Sequence, residues 1–432
     1  MEMYKKGYDK HTNQIFIEKT GAGGKIVVAL AEGNFIRKIQ QHIKTDLKNF
    51  KVNIDEAIGG VLRYFILKNS KIVRNKIVFG TFQNAYTCNA KYIAEKIIED
   101  RLNYEIVFIV DDIFLINNDE YDVPNRIKFV KRNSLESFLE LASAHFWVDN
   151  ALNCIWKKIP KKKGQIYLNT WHGSLGIKRL NGDKHWRRIA KRGNSAIDYF
   201  ITDSKFEEDV FQKSFWPDVK CLKYGHPRND IFFDPDKINK AKSKVYSLYG
   251  LEEHVKTVLY APTFRDNKSD VSAINVDYAG MKAALEKKFG GEWFVIAKLH
   301  FHNATNNRTK DLFCKEDVID ASTYPDIQEL MAAADIGITD YSSWIFDFLL
   351  TKKPAFIYAR DIEKYRNSRG FYYSLDETPF SIAESNKKLQ ENILRFESAV
   401  YLEQVESFLA GKQCYETGNA CEQVVKFICD HT

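Results

Sequence analysis

The 432-residue sequence lacks the patterns that mark several large classes of protein. Its seven cysteines are scattered without a CxxC pair, so tandem metal-ligand spacing is absent and reduced thiols in a cytoplasmic protein are expected. No apolar run reaches the roughly 20 residues of a membrane-spanning helix. The polar start, MEMYKKGYDKHTNQ, predicts no signal peptide. A protein of this kind that acts on lipid-linked material must dock on the membrane rather than cross it.

The composition is that of a folded, mildly basic protein. The chain is 44% hydrophobic and 14% aromatic, which allows a sizeable core, and its length suggests two domains. A net charge of +7 fits an anionic partner such as a phosphorylated substrate, an acidic membrane surface or nucleic acid. Nucleic acid is disfavoured, because no known nucleic-acid-binding motif accompanies the charge.

Residues 1–70 form an N-terminal extension with its own pattern. The glycines of GAGG precede the apolar run KIVVAL, but Ile26 stands where a Walker A motif needs Ser or Thr, so a hairpin turn is predicted. The following stretch, NFIRKIQQHIKTDLKNF, has apolar residues near helical spacing with cations between them. Such a helix could rest on anionic lipid or be an ordinary surface helix, and both interpretations stay open.

From Asn75 onward, short apolar strands alternate with amphipathic helices, which predicts parallel sheets flanked by helices. The sequence Asp234-Pro235-Asp236 and the lysine-rich helix after it indicate a junction. We therefore predict two Rossmann-like domains, residues 71–235 and 236–432. The cleft between two such halves is the expected active site.

In open α/β sheets, ligands bind beyond the carboxyl ends of the strands. Residues at these positions include many cations and hydrogen-bond donors, which suits a substrate with several negative charges. The set comprises His172, Lys178, Arg179, His226, Arg228 and Asn229 from the first half, and Thr263, Arg265, His300, His302, Asp340, Ser342 and Ser343 from the second. Gly173 lets a substrate approach the backbone beside His172. Taken alone, His172 would fit a structural histidine; the second half favours a chemical role.

The stretch DYSS predicts a phosphate site, because a helix beginning at about Asp340 would place Ser342 and Ser343 in its first turn. A plain capping motif is the alternative. Asp111-Asp112 fits an acidic turn better than a metal pair, since no third ligand is placed, and we predict no metal site. The basic stretch DKHWRRIAKRG is either a solvated face or a docking patch for anionic lipid or polymer.

Several motifs in order resemble the bacterial CDP-glycerol glycerophosphotransferases of the teichoic-acid type. They cover about residues 75–400, and their combination is highly specific. They are FWVDNALNCIWKKIPKKKGQIYLNTWHG, GHPRND, YAPTFRDN, KLH, YPDIQELMAAADIGITDYSSWIFDF and KKPAFIYARDIEKYRNSRGFYYSL. The resemblance implies an α/β, GT-B-like fold whose first Rossmann-like domain binds the acceptor and whose second binds the donor.

The resemblance also implies a reaction. An alditol phosphate, such as glycerol phosphate, passes from a CDP-alditol to a hydroxyl of an undecaprenyl-linked saccharide or a growing polyol-phosphate polymer, and CMP leaves. His172 matches the family's candidate base, and His300 the histidine that holds the donor's pyrophosphate. Thr263, Arg265, Ser342 and Ser343 match diphosphate positions, and Glu329 lies near the nucleotide. No cofactor is implied, because cationic side chains replace Mg²⁺ in charge neutralisation.

Two departures from the family pattern concern the acceptor loop and the donor histidine. After WHG the sequence runs SLGIKRL, one residue longer than the expected TPLKRL, and Phe301 replaces a proline after KLH.

The expected protein is a peripheral enzyme at the cytoplasmic face of the membrane. A GT-B glycosyltransferase using a nucleotide sugar is the alternative enzyme, and a basic non-catalytic binding module the alternative of another class. Glycerol versus ribitol donor, and primase versus polymerase, stay open.

Overall fold

The structure is a computed structural model in which part of the chain is described. The described ranges are 3–9, 14–21, 24–30, 70–82, 84–112, 123–152, 154, 161–174, 176, 179, 190–191, 193–263, 276–299, 318–362 and 370–432. The chain divides into two compact units, Met1–Asn69 and Ser70–Thr432.

The first unit contains an antiparallel sheet of three strands in sequence order. The strands are β1 (Met3–Asp9), β2 (Gln14–Gly21) and β3 (Gly24–Leu30). Gly21 pairs with Gly24, so the predicted hairpin at the glycine-rich stretch is confirmed. The predicted basic amphipathic helix falls outside the described residues.

The second unit begins with a seven-stranded parallel sheet. Its strands are β4 (Val73–Gly80), β5 (Glu105–Val110), β6 (Ile127–Lys131), β7 (Ala144–Asp149), β8 (Ile166–Asn169), β9 (Tyr199–Ile201) and β10 (Lys220–Leu222). The spatial order is β10-β9-β8-β7-β4-β5-β6. Five of the six residues of β5, EIVFIV, are buried, as a parallel strand covered on both faces requires.

Helices connect these strands, and a 3-10 helix at Pro227–Phe233 leads out of the first sheet. The helices of this half and the next one along the chain are α1 (Cys88–Glu99), α2 (Leu135–Ser143), α3 (Lys205–Ser214) and α4 (Pro235–Tyr249). Ser134 caps α2, since its hydroxyl accepts a hydrogen bond from the Ser137 backbone N–H at 3.0 Å.

A second, six-stranded parallel sheet follows. Its strands are β11 (Lys256–Tyr260), β12 (Trp293–Ala297), β13 (Val318–Asp320), β14 (Ile336–Thr339), β15 (Ala355–Tyr358) and β16 (Ser381–Ala383). The order β13-β12-β11-β14-β15-β16 is that of the Rossmann fold. Its helices, with the last helix of the chain, are α5 (Tyr278–Phe289), α6 (Ile327–Ala333), α7 (Trp344–Phe348), α8 (Asn386–Leu394), α9 (Ser398–Gly411) and α10 (Ala420–Asp430).

The last helix returns to the first sheet. Val424, Val425 and Ile428 of α10 are buried in the same hydrophobic cluster as Ile77 of β4. Asp230 accepts hydrogen bonds from the backbone N–H groups of the first two residues of α10, at 3.0 and 2.7 Å. The chain therefore crosses between the two halves twice, and the crossing segments lie near the carboxyl ends of the strands.

Two predicted boundaries are wrong. The sequence AIDYFIT at residues 196–202 predicts a strand of that length, but the strand is shorter, because pairing with β8 begins only where Tyr199 lies opposite Leu168. The helix predicted to begin at Asp340 begins at Trp344. The Asp340 carboxylate instead accepts hydrogen bonds from Thr263 and Tyr341, so it ties two strand ends together.

Candidate functional site

A strained turn follows β8 at the carboxyl edge of the first sheet. Trp171 has a φ of +50°, in the left-handed region, although its indole is large and buried. Asn89 of α1 donates from its amide to the Trp171 carbonyl at 3.1 Å, and Asn169 accepts from the Trp171 N–H at 2.9 Å. These bonds hold a backbone conformation that costs about 1–3 kcal/mol by itself.

The turn presents His172 above the point where the strand order of the first sheet reverses. Its ring stacks on Phe82, with 4.5 Å between ring centroids, and Phe82 follows β4. Its Nδ1 lies 2.6 Å from the carbonyl oxygen of Asn150, which follows β7. Because a carbonyl oxygen only accepts, Nδ1 carries the proton and Nε2 keeps its lone pair.

Electrostatics favour the neutral form of this ring. Burial lowers the pKa of His172 to about 4, the bond to Asn150 opposes that shift, and the positive charge of Arg228 adds to it. The imidazole is therefore neutral at pH 7. A neutral ring with a fixed Nδ1–H and a lone pair on Nε2 is suited to accept a proton from a substrate hydroxyl.

A buried arginine links this turn to the second half of the protein. Arg228 donates from Nη2 to the Gly173 carbonyl at 2.8 Å and from Nε to Asp347 of α7 at 3.0 Å. Asn229 donates to Asp347 at 2.9 Å. Arg228 is 2% exposed, so the described contacts of this predicted substrate ligand are protein groups. We expect Arg228 and Asn229 to act by positioning the Gly173 backbone.

The second sheet has its own polar site at the corresponding point. Thr263 follows β11 and Asp340 follows β14, the adjacent strands between which the strand order reverses. The Thr263 backbone N–H donates to Asp340 Oδ1 at 2.8 Å, and the Thr263 hydroxyl donates to the same oxygen. Ser342 and Ser343 come next, at the start of a helix of only five residues. The predicted dipole contribution to phosphate binding is correspondingly weaker, and their position at this edge carries the prediction.

The two edges approach one another at the glycines of the loop after β8. A Cβ atom built on Gly173 would lie 3.9 Å from the Ser343 hydroxyl oxygen, and one on Gly176 would lie 3.4 Å from Ser343 Cβ. Arg179 donates from its backbone N–H to the Gly370 carbonyl at 3.2 Å. The turn after β8, residues 170–173, is called the histidine turn below. It therefore lies next to residues 340–343 of the other half.

A buried ion-pair network also joins the halves. Lys91 of α1 contacts Asp326 at 2.7 Å and Glu329 at 2.6 Å, and Lys244 contacts Glu329 at 3.0 Å. Burial acts to raise the pKa of Glu329, but the two ammonium groups outweigh it and lower the pKa to about 2. Glu329 is thus ionised and held in place, which is compatible with orienting the nucleotide side of the second half.

A cluster of buried acids surrounds His226, and Ser174, the residue after the histidine turn, contacts it. Ser174 donates from its hydroxyl to Asp203 at 2.6 Å, and His226 Nε2 lies 3.3 Å from Glu207. Burial raises the pKa of Asp203 to about 7 and that of Glu207 to about 8, and it raises the pKa of Glu416 well above its usual range. Burial also lowers the pKa of His226 to about 4.

Some sequence-predicted residues are not placed by the structure. Lys178, Arg265, His300 and His302 lie outside the described residues, as does most of the basic stretch DKHWRRIAKRG. Other residues were missed by the sequence reasoning. Asn89 and Phe82 follow no recognisable motif, because their role depends on bringing α1 and the end of β4 next to a turn more than 80 residues away.

Two parallel sheets with Rossmann-like strand order and facing polar edges define a GT-B-like architecture. The chain belongs to the CDP-Glycerol:Poly(glycerophosphate) glycerophosphotransferase family, whose model matches residues 62–430. The family resemblance and the fold class predicted from the sequence are thereby confirmed.

Named relatives agree with this assignment. The chain is 31% identical over 415 residues to the teichoic acid poly(glycerol phosphate) polymerase of Bacillus subtilis, covering 91% of this chain and 54% of that protein. It is 29% identical to the enzyme of the same name from Bacillus spizizenii, covering 81% and 91% respectively. The chain thus spans about half the length of the first of these relatives.

Solved structures of the wall teichoic acid polymerase TagF are also similar. One superposes with a TM-score of 0.72 at 26% identity, covering 93% of this chain and 98% of that one. Another, a TagF variant soaked with CDPG, has a TM-score of 0.72 at 27% identity over the same shares.

None of the helices described in the structure has both the length and the hydropathy of a membrane span.

Proposed function

We propose that this protein transfers glycerol phosphate, or a related alditol phosphate, from a CDP-alditol to a hydroxyl of a growing teichoic-acid-type polymer. One observation carries the proposal. His172 is neutral, its Nδ1–H is fixed on Asn150, and the adjacent Gly173 lies next to Ser343 of the second half. Family membership and the CDPG-soaked TagF structure support the choice of donor.

The proposed chemistry is a direct displacement at the donor's distal phosphorus. The acceptor hydroxyl oxygen bonds to that phosphorus while Nε2 of His172 takes its proton. The bridging phosphorus–oxygen bond breaks, and CMP leaves with the electron pair. Thr263, Ser342 and Ser343, together with the predicted Arg265 and His300, would hold the diphosphate. Base catalysis of this kind contributes about 10²–10⁴-fold to the rate.

The acceptor and the location of the reaction are finer parts of the proposal. The named relatives assemble teichoic acids, and the chain carries a net charge of +7. These facts support a lipid-linked saccharide or polyol-phosphate acceptor that is met at the cytoplasmic face of the membrane. Vesicles with and without anionic lipid test the membrane partner, because electrostatic docking requires the anionic lipid and weakens with salt.

A donor panel tests the function. The full chain is incubated with a lipid-linked polyol-phosphate acceptor and CDP-glycerol, CDP-ribitol or a UDP-sugar, and free nucleotide is measured. We expect CMP from a CDP-alditol, and gel analysis of the product separates addition of one unit from addition of many. Release of UDP from the UDP-sugar instead would identify a conventional glycosyltransferase, and binding without any nucleotide release would identify a non-catalytic module.

A further inference from the structure

The buried cluster beneath the histidine turn contains a set of potential metal ligands that the proposed reaction does not use. Asp203, Glu207 and His226 each offer one ligand atom, and these atoms lie within 4.8 Å of one another. The three side chains are 1%, 6% and 0% exposed. They come from three separate elements: the end of β9, helix α3, and the turn before the 3-10 helix at Pro227–Phe233.

His226 gives independent evidence that a ligand belongs there. Both of its ring nitrogens are buried, and neither has a hydrogen-bond partner within the described part of the chain. Burying such groups without a hydrogen bond is unfavourable. Nε2 lies 3.3 Å from Glu207 Oε2, but the two atoms are not aligned for a hydrogen bond. That separation is the one that two ligand atoms take around a tetrahedral ion with bonds of about 2.0–2.2 Å.

The surroundings of the cluster contain a further basic and a further acidic side chain. Arg228, the buried guanidinium next to the cluster, forms its ion pair with Asp347. Glu416 also lies near His226, with Oε1 4.0 Å from Nδ1, and its side chain is 2% exposed. Buried carboxylates are charged when they are paired or coordinate a metal, so a cation bound here would stabilise their charged form.

The ligand atoms are oriented by further hydrogen bonds, as in known metal sites. Ser174 and Ser204 donate their hydroxyls to the two oxygens of Asp203, at 2.6 and 2.7 Å. The Asp203 backbone N–H donates to Glu207 Oε2 at 2.9 Å. Such partners fix the orientation of the ligands and increase metal affinity.

We propose that Asp203, Glu207 and His226 bind a structural divalent transition-metal ion of the Zn²⁺ class. One imidazole nitrogen with two carboxylate oxygens suits Zn²⁺, whereas Mg²⁺ prefers oxygen ligands and retains several waters. The three side chains are buried, which favours a structural role for the ion. Through Asp203 it would fix Ser174, two residues after His172, and so hold the base of the catalytic turn.

Metal binding to the full chain tests this proposal without reference to activity. The protein is stripped with a chelator, Zn²⁺ is titrated against a competing indicator, and bound metal is counted by mass spectrometry. We expect one Zn²⁺ per chain, a higher unfolding temperature with Zn²⁺ than with Mg²⁺, and a loss of affinity of about 100-fold or more in Glu207→Gln and His226→Gln.

His254→Gln is the matched control. His254 also lies near two glutamates, with ring nitrogens 3.2 Å from Glu252 and 3.6 Å from Glu292, but its side chain is 65% exposed. Its loss should leave the buried site unchanged. Zn²⁺ binding that persists in Glu207→Gln, or that disappears in His254→Gln, would overturn the proposal. Should the buried variants fail to fold, wild-type protein that takes up no Zn²⁺ would overturn it equally.

Discussion

The two parallel sheets share a strand order but differ in the chemistry at their corresponding edges. Where the order of the first sheet reverses, between β4 and β7, an aromatic ring and a backbone carbonyl hold His172. At the equivalent point of the second sheet, between β11 and β14, a hydroxyl and a carboxylate form the site at Thr263 and Asp340. The first edge buries a titratable base, and the second contains several hydrogen-bonding groups.

The difference indicates a division of labour. A desolvated, neutral imidazole can accept a proton during a reaction, so the first edge should govern the rate of the chemical step. Hydroxyl and backbone donors around a fixed carboxylate bind without changing charge, so the second edge should govern donor affinity. Mutations at the two edges therefore affect different kinetic constants.

The largest effect is expected from His172→Ala. Removing the proposed base should lower kcat for CMP release by roughly 10²–10⁴-fold, with a much smaller change in the KM for CDP-glycerol. Steady-state kinetics with the full chain and a defined acceptor measure both constants.

His145→Ala is the control for this variant. His145 also places Nδ1 against a backbone carbonyl, that of Arg74 at 3.1 Å, and burial also lowers its pKa, but it lies near the opposite end of β7. We expect it to retain kcat. Equal losses in the two variants would show that the effect of His172→Ala is structural.

A large loss of stability is expected from Arg228→Met. Asp347 would keep its buried charge without the guanidinium, and removal of one partner of a buried ion pair costs about 3–5 kcal/mol. Denaturant unfolding measures the loss. Arg126→Met removes an exposed arginine that also donates to a backbone carbonyl, that of Leu102 at 2.8 Å, and should cost less than about 0.5 kcal/mol. Similar small losses in both would contradict the proposed link between the halves.

The pH dependence of stability is expected to change by an intermediate amount. The pKa of His172 is about 4 in the folded protein, below the usual 6.5. Between these two pH values the ring is protonated in the unfolded chain and neutral in the folded one. Stability should therefore fall as the pH falls from 6.5 toward 4. His172→Ala should reduce that slope by at most about 1.4 kcal/mol per pH unit, and by less to the extent that water screens the ring.

Unfolding free energies at several pH values between 4.5 and 7.5 measure this slope. His254→Gln, at an exposed position, provides the comparison for removal of a histidine. An unchanged slope in His172→Ala would mean that the ring titrates alike in the folded and unfolded protein.

The smallest effect is expected from Thr263→Val. The variant loses a single hydroxyl bond to Asp340, worth about 0.5–1.5 kcal/mol, so the KM for the CDP-alditol should rise by about 2–10-fold with kcat nearly unchanged. Thr257→Val loses a comparable bond, to the Ala333 carbonyl, at the opposite end of β11 and should leave the KM unchanged. A fall in kcat without a rise in KM would contradict the assignment of donor affinity to the second edge.

Most strands and the polar edge could be predicted from the sequence for a local reason. Buried parallel strands such as EIVFIV are short apolar runs, and the residues directly after them must lie at the carboxyl edge of the sheet. This placed His172, Thr263 and Asp340 correctly at strand ends. The helix start at Asp340 was wrong because Thr263, 77 residues away, competes for the carboxylate that would cap it.

The remaining features depend on contacts distant in sequence. The Lys91 ion pairs with Asp326 and Glu329, the Asn89 bonds to the histidine turn, and the return of α10 to the first sheet all join segments that no local pattern connects. The acid cluster around His226 was missed for the same reason. Its members are ordinary helix, turn and strand-end residues until the fold buries them together.

The protonation state of His172 is the most direct test of the proposed mechanism. Histidine-selective ¹⁵N NMR of the full chain, with His172→Ala to assign the signals, reports the tautomer and the pKa of the ring. We predict a neutral ring at pH 7 with its proton on Nδ1 and a pKa well below 6.5. A ring protonated at pH 7, or one carrying its proton on Nε2, would contradict the assignment of His172 as the base.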